Sequence, residues 1–486
     1  MTPRYRTAPR DRIPFLHKVV YGLGGFVNNL LAAAIGGMTI VLNLGLGMNP
    51  ALVGLLGAIP RLSDAITDPV MGYISDHTRS RWGRRRPYLL VGAVLSGVTY
   101  ALLWQLPVGR SESFYFWYFL CGSLLFYVAY TIFATPWVAL GYELTPDYHE
   151  RTRLMGVQNF IGQIVYLISP WFLWIMTNEA WFDDQIVGAS VLGAVIGAIV
   201  VGLGILPAVF LRERLAAAAE PREAGPGTAG SPGIGHRVRD FLGGLRTTLS
   251  SGPFLKLCLA TFLVFNGFML VSSFQFYVII YYVLGGDQAL GARYAGYAGT
   301  VGALSTFVVI AVVTWLGTRI GKRHAFFIAI GVSMVGYALK WFCYDPEIPL
   351  LVVLPAPLIA FGLGGLFTLT GSMMADVVDR DELETRERRE GMFGSIYWWV
   401  VKLGMAAALA GGGVLLNLTG FDVALGSAQS LRTVTLMRAF DAFIPVLASA
   451  LAIWAVASYP ITEESAHAVR LQLEQRRGAG PVPTQS

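Results

Sequence analysis

The chain has 486 residues, of which 55% are hydrophobic and 14% charged, with a mean hydropathy of +0.57 and a formal net charge of +6. A soluble chain carries about 25% charged residues, so the composition excludes an ordinary soluble enzyme, a disordered chain and, in spite of the basic balance, a nucleic-acid binder. Cys121, Cys258 and Cys343 are odd in number, far apart and set in apolar runs, which makes neither a disulfide framework nor a metal cluster. The 56 glycines suit membrane helices that pack backbone against backbone.

A membrane helix takes about 20 mainly apolar residues. Twelve runs meet that length: 18–47, 50–76, 87–107, 112–144, 154–177, 186–211, 254–284, 293–317, 325–344, 349–375, 391–418 and 438–459. The basic start, Met1 to Lys18, leads into a run too long for a secretory signal and reads as a tail before a retained helix. The expected organisation is a cytoplasmic tail (1–17), a six-helix bundle (18–211), a cytoplasmic central loop (212–253), a second six-helix bundle (254–459) and a cytoplasmic tail (460–486). In the central loop, Ala216 to Gly235 has the composition of a flexible linker. Val238, Phe241, Leu242 and Leu245, with Arg237, Arg239 and Arg246, suit either a short helix on the inner leaflet or a solvated lead-in to the seventh run.

Charge sets the orientation. Twenty-nine Lys and Arg fall on the side of the termini, and only Arg110, Arg293, Arg432 and Arg438 fall on the other. The expected topology has both termini in the cytoplasm, in the inner (plasma) membrane of a bacterium. Arg81-Trp82-Gly83-Arg84-Arg85 after run 2 is echoed by Arg319-Ile320-Gly321-Lys322-Arg323 after run 8, at an offset of 238 residues. Repeated halves joined by a long loop are the layout of the major facilitator fold, an all-α membrane architecture whose solute site lies near the midplane.

The second run carries the chemistry. Carboxylates and an arginine inside a membrane are expensive unless paired or facing water. At about 100° per residue, Arg61, Asp64 and Asp68 fall within roughly a 60° arc. Two close carboxylates suit Na⁺, or a single shared proton. A static neutral network with Arg61 and Lys402 is the alternative. Lys340, near the end of run 9, is expected to snorkel.

Several stretches together resemble the glycoside–pentoside–hexuronide:cation symporters, the melibiose-permease-like family of the major facilitator superfamily. They are Tyr21 to Phe26, Arg61 to Gly72, Asp76 to Tyr88, Pro136 with Glu150-Arg151, and Ala375 to Asp379 through Gly391. The resemblance spans both halves. It implies secondary active transport by alternating access, with Asp64 and Asp68 on the family's cation aspartates, Thr131 on a helix-4 cation ligand and Lys402 on a helix-11 lysine near that site. It places Asn29 at the helix-1 sugar aspartate, Asn28 where melibiose permease has lysine, and Asn159 at the helix-5 arginine. Trp137 stands one place before the helix-4 tryptophan, Thr67, counted with the cation ligands, where that permease has asparagine, and Ala134 at the helix-4 aspartate.

Neutral groups thus replace charged ones; asparagines still hydrogen-bond sugar hydroxyls, which keeps a neutral sugar or glycoside as the expected solute and argues against a galactoside such as melibiose. The loss of cation ligands favours H⁺ over Na⁺. Tyr130, Asn29 and Asn159 are the preferred solute contacts, with Trp137 and Trp398 as aromatic platforms. The loop carrying Arg84 and Arg85 reads as an inner gate that pairs with Asp76, Glu143 or Asp147. All six histidines lie in loops, tails or helix ends, and no zinc or nucleotide motif occurs. The expectation is therefore a symporter and no enzyme, with no cofactor beyond a coupling ion (H⁺ or Na⁺). Its partners are a sugar-like solute and membrane lipids, not nucleic acid, and it is a monomer. An amphipathic or lipid-like solute is the alternative.

Overall fold

Caps and prolines set the helix starts. Asn49 accepts the Ala51 N–H at 2.9 Å ahead of Pro50, and Ser111 accepts the Phe114 N–H at 3.3 Å. Both satisfy donors that a helix start leaves open. The computed structural model describes residues 11–78, 80–145, 148–213, 248–386 and 390–476. The short helix considered near 238–246 lies outside the described residues, as do Arg79 and Asp147.

The spanning helices are α1 (Phe15–Leu44), α2 (Pro50–His77), α3 (Arg86–Leu103), α4 (Glu112–Glu143), α5 (Tyr148–Gln163, running on to Met176 through a 3₁₀ turn at Ser169–Trp171) and α6 (Gln185–Phe210). They continue as α7 (Gly252–Val283), α8 (Gln288–Ile320), α9 (Lys322–Cys343), α10 (Pro349–Thr385), α11 (Glu390–Leu418) and α12 (Leu431–Ala457), before a terminal α13 (Glu463–Arg476). Eleven described helices are apolar and long enough to cross a membrane. The twelfth expected span, α2, has the length, with 28 residues, but Arg61, Asp64 and Asp68 dilute its hydropathy.

Two compact units divide the chain. The first holds residues 1–226 with 286–300 and 409–429; the second holds 227–285, 301–408 and 430–486. Inside the first, α3 packs on α4 and α6, and α6 on α1; inside the second, α9 packs on α10 and α12, and α12 on α7. The same helix pairs therefore recur in the same order. Close approach depends on missing side chains: a Cβ on Gly97 would stand 2.5 Å from the Gly197 carbonyl oxygen, and one on Gly197 equally close to that of Gly97.

Two features depart from the expected layout. Lys340 does not snorkel. It is 5% exposed, its Nζ meets Asp441 Oδ1 at 2.9 Å, and the rings of Tyr337 and Tyr344 lie 5.4 and 5.7 Å from Nζ. The reason is the length of α12. It starts at Leu431 rather than 438, so Asp441 sits well inside the helix and covers the end of α9.

The basic tail is also clasped. Glu150 is buried at the start of α5 and accepts the Ile13 N–H at 3.0 Å, Lys18 Nζ at 2.6 Å and Arg153 Nη1 at 3.1 Å. Burial raises the Glu150 carboxyl, but the Lys18 ammonium, the Ile13 N–H and Arg153 outweigh it and hold the group below its ordinary value. A carboxyl depressed in the folded state stabilises above its unfolded pKa of about 4.3 and loses that contribution only as pH falls through the lower folded value. Hydrogen exchange at Ile13 is thus expected to stay flat from neutral pH to about 5, after correction for the intrinsic rate, and to rise in Glu150→Gln at neutral pH. Equal protection in that variant would remove the clasp.

Candidate functional site

The intramembrane charges of the first unit lie on α2 and face α4. Asp68 Oδ1 accepts the Thr131 hydroxyl at 2.9 Å, and Thr67 Oγ1 stands 3.3 Å from Thr131 Oγ1. One turn earlier, Asp64 is 4% exposed, with its Oδ2 3.9 Å from Arg61 Nη1. The Arg61 guanidinium lies over the Tyr127 ring, 5.0 Å from its centroid. Pro69 removes a helical N–H and so frees the Ala65 carbonyl from its usual donor, one turn from the carboxylates. Helical arithmetic anticipates the shared face of Arg61, Asp64 and Asp68. Only the packing of α2 on α4 shows that Thr67 and Thr131 meet.

A chain of amides runs beside this cluster. Tyr130 hydroxyl donates to Asn28 Oδ1 at 2.8 Å, Asn28 Nδ2 to Asn29 Oδ1 at 3.4 Å, and Asn29 Nδ2 to the Gly162 carbonyl at 3.1 Å. Asn159 is exposed on α5, seven residues before the exposed Tyr166, so the two share a face that lies near Arg61. Trp137 belongs to a different setting from the one expected. It is buried, its ring stacks on Tyr21 at 5.2 Å, and its indole N–H is spent on the Tyr21 carbonyl at 3.1 Å. That side chain cements α1 to α4 instead of offering a platform. Tyr127 and Tyr166 escape the sequence reading. Tyr127 was findable: it precedes Thr131 by four residues and therefore shares its face.

In the second unit, Trp398 is 55% exposed and stacks against Phe367 at 6.3 Å with planes 12° apart. Lys402 follows at the i+4 position on the same face of α11 and is half-buried. Tyr397, by contrast, is buried and its hydroxyl lies 3.2 Å from those of both Thr261 and Thr370, a packing contact.

At the α3 start, Arg84 and Arg85 both reach Glu143 at the end of α4, the latter at 3.1 Å. Their backbone N–H groups hold the Glu213 carboxylate at 2.9 and 2.7 Å. The echoed loop repeats the arrangement, with Lys322 Nζ 2.6 Å from Asp376 Oδ2 on α10.

Twice-repeated helix pairs and a carboxylate pair inside a span define a polytopic secondary transporter. Residues 15–463 match the family described as MFS/sugar transport protein, and the chain belongs to that family. It is a cation-coupled, melibiose-permease-like symporter of the major facilitator superfamily and an integral membrane protein. An uncharacterized symporter of Synechocystis is 27% identical over 85% of this chain and 87% of its own. The sodium-dependent lysophosphatidylcholine symporter 1 of Gallus gallus is 24% identical over 98% and 92%. The isoprimeverose transporter of Lactiplantibacillus pentosus is 23% identical over 93% and 90%. In fold, the chain is similar to the crystal structure of a D-xylose–proton symporter, with a TM-score of 0.62 and 14% identity over 92% of this chain and 98% of that one.

Proposed function

We propose that the coupling cation is Na⁺, held by Asp64, Asp68, Thr131 and Thr67, and that the solute moved with it is a neutral glycoside. The carrying observation is the oxygen cluster: Asp68 Oδ1, Thr131 Oγ1 and Thr67 Oγ1 are 2.9 and 3.3 Å apart in sequence of contact, on two different helices. A proton needs one carboxylate; a hard cation needs several oxygens brought together. Counting ligands along the sequence favours H⁺ because Ala134 stands at one of them. The Thr67 hydroxyl, 3.3 Å from Thr131 Oγ1 across the contact of α2 with α4, supports the Na⁺ reading instead. Arg61 supplies positive charge that offsets the carboxylates when the site is empty.

Solute contacts come from Asn29, Tyr130 and Asn159 in the first unit. Arg84 and Arg85 on Glu143 act as a cytoplasmic gate element. Cation binding neutralises the repulsion between Asp64 and Asp68, favours solute binding and permits the loaded halves to rock.

A lipid-like solute is the second reading. The chicken relative covers nearly the whole chain, and the amides of Asn28 and Asn29 are already engaged with protein groups. Proteoliposomes loaded against a panel of sugars and lysophospholipids, under Na⁺ and H⁺ gradients imposed separately, test both. Glycoside uptake that requires Na⁺ and moves no protons is expected. Substrate-dependent alkalinisation without a Na⁺ requirement would sink the cation assignment, and uptake confined to lysophospholipids the solute.

A further inference from the structure

We propose that Glu213 is a positioning residue for the cytoplasmic gate: its carboxylate fixes the backbone from Gly83 to Arg85 so that both arginine side chains converge on Glu143. The inference rests on the reading of Arg84 and Arg85 as a gate element. Side chains of successive residues diverge, by about 100° on a helix and to opposite faces on a strand. Arg84 and Arg85 are successive, yet both reach Oε1 of Glu143, the latter at 3.1 Å. Neither regular conformation sets such neighbours side by side, so the convergence depends on a turn in the backbone.

Glu213 closes that turn. Gly83 has a φ of +107°, in the left-handed range that glycine adopts without strain. The next two N–H groups both donate to the Glu213 carboxylate, Arg84 to Oε2 at 2.9 Å and Arg85 to Oε1 at 2.7 Å. Successive N–H groups on one anion form a nest. Arg85 stands at the N-cap of α3 without a side-chain cap bond, so the carboxylate also lies where the positive end of that helix favours an anion. It fits only because residue 83 has no side chain: a Cβ there would lie 2.7 Å from Glu213 Oε1.

The echoed loop shows which part of this arrangement is special. Arg86 grips the end of α6, with Nε on the Ala208 carbonyl at 2.6 Å and Nη2 on that of Val209 at 3.0 Å. Arg323 repeats the grip on the Ala457 carbonyl at the end of α12, and Gly321, at φ +80°, repeats Gly83. There one side chain, Lys322, meets one carboxylate, Asp376, and no pair of neighbours has to be aligned. In the first unit two neighbours share one oxygen, and the carboxylate at the exit of α6 holds the turn that aligns them. Without it the turn relaxes and the arginines part. Hydrogen bonds to a charged group are strong enough for their loss to weaken the closed gate about tenfold.

The test is the separation of spin labels at Ile74 on α2 and Thr318 on α8, exposed positions near the ends of those helices, in a cysteine-free parent that retains uptake. In Glu213→Ala the ratio of cytoplasmically open to closed separations is expected to rise about tenfold. Arg84→Gln combined with Arg85→Gln is expected to shift the ratio in the same direction. Adding Glu213→Ala to that pair is expected to change nothing further, because the carboxylate acts through the two arginines. Glu213→Gln keeps the bulk of the side chain and is expected to shift the ratio the same way should the Ala variant fold poorly. An unchanged ratio in a folded Glu213 variant, while the arginine pair shifts it, overturns the positioning role and spares the gate. A full further shift on the arginine background overturns it as well, since Glu213 would then act by itself. No shift in the arginine pair overturns the gate reading and this inference with it.

Discussion

Asp68→Asn is expected to abolish gradient-driven accumulation while solute exchange and downhill flux persist. The amide keeps the size of the carboxylate and can still accept the Thr131 hydroxyl that now stands 2.9 Å from Oδ1, so the packing of α2 on α4 survives. What disappears is one negative charge at the proposed cation site. Without it the cation no longer binds ahead of the solute, and the gradient has nothing to act on. One charge moved through 100 mV supplies about 2.3 kcal/mol, enough for roughly fortyfold accumulation. The variant should equilibrate at an inside-to-outside ratio of about one in the same measurement. Proteoliposome uptake with an imposed Na⁺ gradient and membrane potential reads this directly. Undiminished concentrative uptake would remove Asp68 from the cation site.

The other large effect concerns stability. Lys340→Met and Asp441→Leu, each alone, leave one buried charge without its counter-ion, which costs about 3–5 kcal/mol. The Asp441 Oδ2 atom has no hydrogen-bond partner among the described residues, so the Lys340 contact at Oδ1 is what compensates the burial of this carboxylate. The double variant replaces both charges by apolar groups of similar bulk and is expected to recover most of the loss, since a buried pair and a well-packed apolar pair are close in free energy. Thermal unfolding of detergent-purified protein gives the comparison, with both single variants melting well below the parent and the double variant near it. Single variants that melt like the parent would mean the pair is solvated. A double variant as unstable as the sum of the singles would mean the two side chains act independently.

The legible part of the site is the part that one helix writes by itself. Spacing alone places Arg61, Asp64 and Asp68 on a common face, because every turn of α2 repeats the same angle. Thr67 and Thr131 are 64 residues apart in the chain, and no periodicity links them. Their contact exists because α2 packs on α4. Trp137 shows the opposite failure. Family position suggests a platform, yet the neighbouring Tyr21 ring and carbonyl absorb both the face and the N–H of the indole.

Composition and periodicity were sufficient for the membrane class and the repeated halves, since the apolar solvent imposes a length and a hydropathy on each helix separately. They were also sufficient for the loop echo, where Arg84 and Lys322 meet Glu143 and Asp376 in turn. Only tertiary structure decided which polar groups are consumed inside the protein and which stay open. Lys340 is the clearest case. Near the end of a span a lysine can reach water, but α12 begins seven residues earlier than its hydropathy suggests and lays Asp441 across that route. Burial of a charge depends on what another helix places beside it, and that partner is chosen by packing between segments about a hundred residues apart.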